Sequence, residues 1–181
     1  CLVGSEMCIR DRLTAGGSAG PALSPSTVLR INAVEGEVEG LTAGRQVLDV
    51  GCGAGNMIHH LSRYGQVKGV EIDPRPVAVA RQRGYEVKQG DATRPLPFEA
   101  GSFDLVTALD LIEHNEDDMA ILRECYRLLS PGGHVVLTVP AFMWLWSHND
   151  VINAHVRRYT AEELGAKLQQ VGFQVRCMTY N

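Results

Sequence analysis

The sequence predicts a doubly wound α/β domain built on a mostly parallel sheet. Three observations predict it. Short apolar runs alternate with stretches of helical spacing, the first run passes into a glycine-rich turn followed by a helix, and acidic residues close the second and third runs. The 181 residues are 45% hydrophobic and 21% charged, the balance of one globular domain with a real core. With 17 basic against 21 acidic residues and a net charge of −4, the chain lacks the positive field of a nonspecific nucleic-acid binder or a polybasic membrane anchor. No nucleic-acid partner is expected. No run reaches the roughly 18–20 apolar residues that span a bilayer, and no charged-then-apolar leader opens the chain, so a cytoplasmic location is expected.

Residues 1–12, CLVGSEMCIRDR, show no helical or strand periodicity and resemble translated sequencing-adaptor DNA, so they are set aside as non-native. Residues 13–26 are small, polar and rich in Gly and Pro, as a flexible tail is. The domain proper is read as 27–181. It opens with Val28, Ile31, Val34, Val38 and Leu41 on one helical face. Strands then follow at 46–50, 67–72, 85–89 and 103–109, separated by helices at 56–64 and 74–83. Met119, Leu122, Cys125, Tyr126 and Leu129 form the inward face of the next helix, which Ser130-Pro131-Gly132-Gly133 breaks before a buried strand at 135–139. Thr160 and Glu163 form a capping box for a last helix burying Leu164, Leu168 and Val171 and ending at Gly172, and 173–178 reads as one more strand. Five cysteines (Cys1, Cys8, Cys52, Cys125, Cys177) are odd in number and lack a CxxC pair, which argues against a disulfide framework or a structural zinc site and for reduced thiols.

The chemistry begins at Asp49-Val50-Gly51-Cys52-Gly53-Ala54-Gly55, a strand end running into a turn where a ligand can approach the main chain closely. Without a ligand, the same pattern serves as a tight strand-to-helix connection. Glu71 closes the second strand, where a carboxylate can accept both hydroxyl protons of a ribose, and Asp91 with Ala92 closes the third, at adenine-amine reach. The glycines are spaced GxGxG and not GxGxxG. Asp49, two residues upstream, would repel a pyrophosphate and suits an ammonium group such as S-adenosylmethionine carries.

At these residues the chain resembles the class I S-adenosylmethionine-dependent methyltransferases, in the broad group that includes the quinone-biosynthesis enzymes. VLDVGCGAG is similar to that family's first motif, GVEID to the second, GDA to the third, FDLVTALDLIEH to the strand after it and LLSPGGHVVLTVP to the segment leading into strand five. The match runs over 46–180. The resemblance implies a Rossmann-like fold, S-adenosyl-L-methionine as cofactor, and contacts from Asp49, Gly51, Cys52, Gly53, Gly55, Glu71, Ile72 (stacking on adenine), Asp91, Ala92 and Leu109. The family has seven strands. The sequence carries six, so the domain is expected to be incomplete before strand seven, leaving a gap beside strand five.

Methyl transfer is an in-line displacement at a carbon that the sulfonium already activates, so positioning and desolvation dominate and a general base serves only some acceptors. Two histidines qualify as catalytic candidates, His114 after strand four and His155, each with the plainer alternative of packing or capping. Trp146, His155, Arg158 and Tyr159 are candidate contacts to a small-molecule or lipid-like acceptor, although at least one of the two tryptophans is expected in the core and paired arginines often stay solvated. His148, Asp150 and His155 match no metal-ligand spacing, so no metal is expected. The acidic run 115–118 suits a helix N-terminus, and Cys52 is a small filler. Two rival functions use the same features: a nicotinamide-dependent oxidoreductase, disfavoured by Asp49 and the glycine spacing, and a non-catalytic methyltransferase-like binding module. Acceptor identity and oligomeric state are not legible.

Overall fold

The computed structural model describes residues 44–178 and 180. The expected helix carrying Val28 to Leu41, and the segments before it, lie outside the described residues. Five strands alternate with helices: β1 Arg45–Val50, α1 Ile58–Leu61, β2 Gly65–Glu71, α2 Pro74–Gln82, β3 Glu86–Gln89, β4 Phe103–Leu109, α3 Asp118–Leu128, β5 Leu129–Thr138, α4 His148–Ile152 and α5 Ala161–Val171. The sheet order is β3-β2-β1-β4-β5 and every pairing is parallel. Strand order therefore reverses between β1 and β4, and the crevice beyond their carboxyl ends is where open parallel sheets bind ligands.

Alternation along each strand sends side chains to two separate cores. Val47, Leu105, Leu109 and Val136 pack with Met57 and Leu61 of the α1 side, and Val87 packs with Val77 and Ala80 of α2. On the other face Leu48, Val106 and Ala108 meet Ile121, Leu122, Cys125 and Leu128 of α3 and Leu164 and Leu168 of α5. From Val47 to Val50 β1 is buried on both faces, which explains its apolar residues; Asp49 is the polar exception. Local chemistry sets the helix ends. Asp73 caps α2 by accepting from the Arg75 amide at 2.9 Å, Asp117 caps α3 by accepting from the Ala120 amide at 3.0 Å, and Thr160 and Glu163 form the expected box on α5.

The structure departs from the sequence reading in several places. Residues 173–178 form no strand: together with β5 they line a cavity of about 600 Å³ and join no ladder. β5 starts at Leu129, before the Pro-Gly-Gly step, because Leu129 pairs with Phe103 and the register then shifts so that His134 pairs with Leu105. Tyr126 points away from the sheet and stacks edge-on against Phe173 at 5.1 Å. The helix expected at 56–64 contracts to one turn, since a backbone turn from Tyr64 to Leu61 closes it and β2 begins at Gly65. Cys52 and Cys125 are free and buried. Cys177 is disulfide-bonded, which corrects the expectation of reduced thiols: an odd count and the absence of CxxC do not forbid a cross-link.

Candidate active site

The first half of the site is built from backbone. Gly51 and Cys52 donate their amides to the Val70 carbonyl at 2.8 and 3.0 Å, strapping the turn to β2. Gly53 then donates to Glu71 Oε2 at 3.0 Å and Asp73 N to Oε1 at 2.9 Å, so the Glu71 carboxylate is fixed at the β2 tip with one amide on each oxygen. Each oxygen retains a lone pair for a ligand hydroxyl. Gly51 (φ 73°) and Gly53 (φ 54°) both sit in the left-handed region, but for different neighbours. A Cβ on Gly51 would lie 2.8 Å from Leu111 Cδ1, whereas a Cβ on Gly53 would meet nothing within 4 Å. The left-handed backbone favours glycine at both positions; a side chain on Gly51 would also have to displace the end of Leu111, whereas Gly53 borders open space. Gly55 resembles Gly51, with Tyr85 Cδ2 at 2.6 Å from its hypothetical Cβ.

The other expected contacts occupy different depths. Ile72, 61% exposed, stands clear beside Glu71. Asp91 accepts from Thr93 N and Oγ1 at 2.9 and 2.6 Å, and the Thr93 hydroxyl and amide hold its carboxyl below the usual range. Ala92 packs partly against the core. Asp49 is buried within the sheet and accepts from Thr107 Oγ1 at 2.7 Å. Leu109 turns into the core with Val47 and Val136, so the polar side chain at the β4 tip is the next residue, Asp110. Asp110 holds φ 51° and takes a 2.6 Å hydrogen bond from the Thr138 hydroxyl, while its amide donates to Thr138. Burial, then the carboxylates of Asp49 and Glu71, push the Cys52 thiol well above its ordinary range, which leaves it a neutral filler.

The second half is a strap from β5 to α5, pinned at both ends. Phe142 N donates to the Tyr159 carbonyl and Tyr159 N to the Pro140 carbonyl, both at 2.9 Å. Within the strap Asp150, 1% exposed, is a hub. Its Oδ1 accepts from Arg158 Nε at 2.7 Å and lies 2.9 Å from His155 Nδ1, while Oδ2 accepts from Ser147 N at 2.7 Å, Ser147 Oγ at 3.1 Å and an Arg158 terminal nitrogen at 3.0 Å. Burial works to raise this carboxyl, but the hydrogen bonds from Arg158, His155 and Ser147 prevail and hold it well below the usual range. Val156 N donates to the Glu113 carbonyl at 2.8 Å, tying the strap to the 3-10 turn Ile112–His114 after β4. The rings of His114 and His155 consequently meet edge to face at 4.7 Å. Burial, then the neighbouring His155, lowers the His114 pKa, so its imidazole is neutral near pH 7.

Two candidate acceptor contacts, and the expectation of a core tryptophan, need correction. Tyr159, 2% exposed, is a core residue whose hydroxyl donates to Asp118 Oδ2 at 2.9 Å; burial and that carboxylate push its phenol well above the ordinary range. Arg158 spends its guanidinium on Asp150 and on the Ala141 carbonyl at 3.0 Å, leaving it a brace within the strap. Neither tryptophan is core: Trp146 is 37% and Trp144 77% exposed, in and just after a 3-10 turn, Met143–Leu145, that buries none of its residues. Asp118, read only as part of an acidic helix start, is a second buried hub, held by Tyr159, Arg157 at 3.2 Å and Lys167 at 2.9 Å.

Sequence reasoning missed Asp110, Glu113 and Asp150. A carboxylate at a third strand tip was the available signal for Asp110. Glu113, His114 and His155 offer ligand atoms within 4.8 Å of one another, a group among the described residues that could hold a metal ion, and it differs from the His148, Asp150 and His155 set rejected on spacing.

A parallel sheet with a glycine turn after β1 at its reversal point, and carboxylates after β2 and β3, has the layout of a doubly wound α/β domain. Residues 48–137 match the methyltransferase domain family. The chain is 37% identical over 115 residues to a ubiquinone biosynthesis O-methyltransferase of Acinetobacter baumannii (strain AYE), covering 59% of this chain and 48% of that protein. It thus spans about half the length of the first relatives it matches. A protein of the same name from Pseudomonas aeruginosa (strain LESB58) is 32% identical over 176 residues, 84% of this chain and 75% of the relative. Among solved structures, the YcgJ protein from Bacillus subtilis superposes with a TM-score of 0.64 at 27% identity, covering 81% of this chain and 67% of that one. Phosphoethanolamine N-methyltransferase 2 of Haemonchus contortus, in complex with S-adenosyl-L-methionine, shares the fold at 24% identity with a TM-score of 0.68, covering 80% and 36%. The chain belongs to the class I S-adenosylmethionine-dependent methyltransferases.

Proposed function

We propose that this chain transfers a methyl group from S-adenosyl-L-methionine to a hydroxyl oxygen of a small-molecule or lipid-like acceptor. The observation that carries the proposal is the placing, along the carboxyl edge of one parallel sheet, of a fixed Glu71 carboxylate beside the open face of Gly53 and of two contacting histidines in the segments that follow β4 and β5. When bound, the cofactor supplies a methyl carbon on a sulfonium sulfur, already activated for displacement. Glu71 suits the ribose hydroxyls, Asp91 and Ala92 the adenine edge, and exposed Ile72 a face of the ring. His114 or His155 accepts the hydroxyl proton as the oxygen attacks, so the acceptor leaves as a neutral ether and the sulfur as a thioether. A neutral His114 is in the form a base requires. The relatives named as O-methyltransferases support oxygen as the attacking atom. No helix among the described residues is long and apolar enough to cross a membrane.

Incubating the purified protein with methyl-labelled S-adenosylmethionine and hydroxylated aromatic or prenylated phenols tests this. Label in an ether product is expected, together with a thermal shift by S-adenosylhomocysteine and none by NAD. A shift by NAD alone would return the nicotinamide reading, and cofactor binding without any transfer would favour the non-catalytic module.

A further inference from the structure

Asp150 is better provided with donors than a buried carboxylate needs. Arg158 alone supplies a two-pronged countercharge, one nitrogen to each oxygen, and Ser147 adds its amide and hydroxyl. His155 is nevertheless brought onto the same group. Its backbone amide donates to the Asp150 carbonyl at 2.9 Å and its Nδ1 lies 2.9 Å from Asp150 Oδ1, so both ends of the residue are tied to one partner. The side chain retains 13% exposure and rests edge-on against the His114 ring.

We propose that Asp150 is a positioning residue that holds His155 in the tautomer with its hydrogen on Nδ1, so that Nε2 is the nitrogen presented to the acceptor hydroxyl. The inference deepens the proposed function and rests on it. An ionised carboxylate only accepts, so the Nδ1 contact requires the proton to sit on Nδ1. Asp150 remains ionised because the hydrogen bonds from Arg158, His155 and Ser147 outweigh its burial. Neutral imidazole carries one N–H, so Nε2 keeps its lone pair. On attack, the O–H bond of the acceptor breaks, its electron pair goes to the new O–C bond, and the proton lands on Nε2; the resulting imidazolium faces the fixed negative charge of Asp150.

Asp150→Asn is the informative change. A carboxamide has one accepting atom where the carboxylate had two. The Oδ2 position faces the Ser147 amide and a guanidinium nitrogen, neither of which can cease to donate, whereas the Oδ1 position faces Arg158 Nε and an imidazole that can. The amide nitrogen therefore settles at Oδ1 and donates to His155 Nδ1, moving the histidine hydrogen to Nε2.

Long-range proton–nitrogen NMR of the 15N-labelled protein at about pH 8, where an ordinary imidazole is neutral, reads the tautomer directly, with His155 assigned by its loss in His155→Gln. Hydrogen on Nδ1 is expected in the parent, and hydrogen on Nε2 in Asp150→Asn. That variant should lose about 10²- to 10⁴-fold in kcat, with acceptor KM and S-adenosylhomocysteine affinity within about threefold of the parent. A parent tautomer with hydrogen on Nε2 overturns the proposal even if Asp150→Asn does not fold, and so does a reversed tautomer with parental kcat. If the parent transfers methyl to no acceptor, the proposed function falls while the tautomer reading still stands or fails by itself.

Discussion

The two halves of the crevice are held by different physics. On the β1–β2 side the ligand-facing surface is main chain: amides of the Gly51 to Gly53 turn bonded to the Val70 carbonyl and the Glu71 carboxylate, with few side chains involved. On the β5 side a strap is held by buried ionised groups, Asp150 gripping Ser147, His155 and Arg158, and Asp118 gripping Arg157, Tyr159 and Lys167. A backbone cradle is insensitive to most substitutions and intolerant of a side chain where a ligand must approach. A charge hub has the opposite weakness. Removing one member leaves the others charged in a dry place.

That contrast orders the expected effects. Asp150→Ala strands Arg158 and should cost about 3–5 kcal/mol of folding stability, read by urea denaturation; a loss under about 1 kcal/mol would show that water replaces the carboxylate readily. Gly53→Val should act on the other half. It fills the open face and weakens S-adenosylhomocysteine binding by at least about 2 kcal/mol in calorimetry, with a stability loss of about 1–2 kcal/mol from the left-handed backbone. Equal affinity would put the ligand elsewhere than the turn. Glu71→Ala removes the ribose contact and should weaken cofactor binding by about 1–3 kcal/mol, with a folding-stability loss of about 1–2 kcal/mol from the two amides it leaves without their acceptor, against the larger stability effect at Asp150. The smallest effect is on the acid side. The Asp150 carboxyl is held below its unfolded value near pH 3.9, so its stabilisation is complete above that pH and is lost as pH falls below about 4 toward the folded-state value. A melting-temperature profile that declines less steeply below pH 4 in Asp150→Asn than in the parent is the expected signature.

The same contrast explains what the sequence disclosed. β4 was read with its observed limits and the Gly51 to Glu71 arrangement in the right order, because strand period, glycine turns and strand-tip acids are local signals. The α5 box and its Gly172 stop were equally local. The hubs were not, since Asp118 finds Arg157 and Lys167 from 39 and 49 positions away and no short pattern encodes that reach. Arg158 and Tyr159 read as acceptor contacts because basic and aromatic residues crowd together with His155 in a long segment after strand five, the composition of a pocket wall. Along an irregular strap, adjacent side chains diverge: His155 meets His114, Arg158 turns back to Asp150, and Tyr159 enters the core. The 173–178 segment had strand-like composition, but a ladder needs a neighbour at hydrogen-bonding distance, and composition is silent about neighbours.

Glu71 also bears on the thermodynamics of ligand entry. With an amide on each oxygen, its rotamer is fixed in the folded chain, so the side-chain entropy of that acid, on the order of 1.5 kcal/mol for a glutamate, was surrendered on folding and is not charged again when a ribose arrives. Cofactor capture on this side is therefore a docking onto a finished surface, and whatever adjustment binding requires is left to the side chains of the crevice that remain uncommitted.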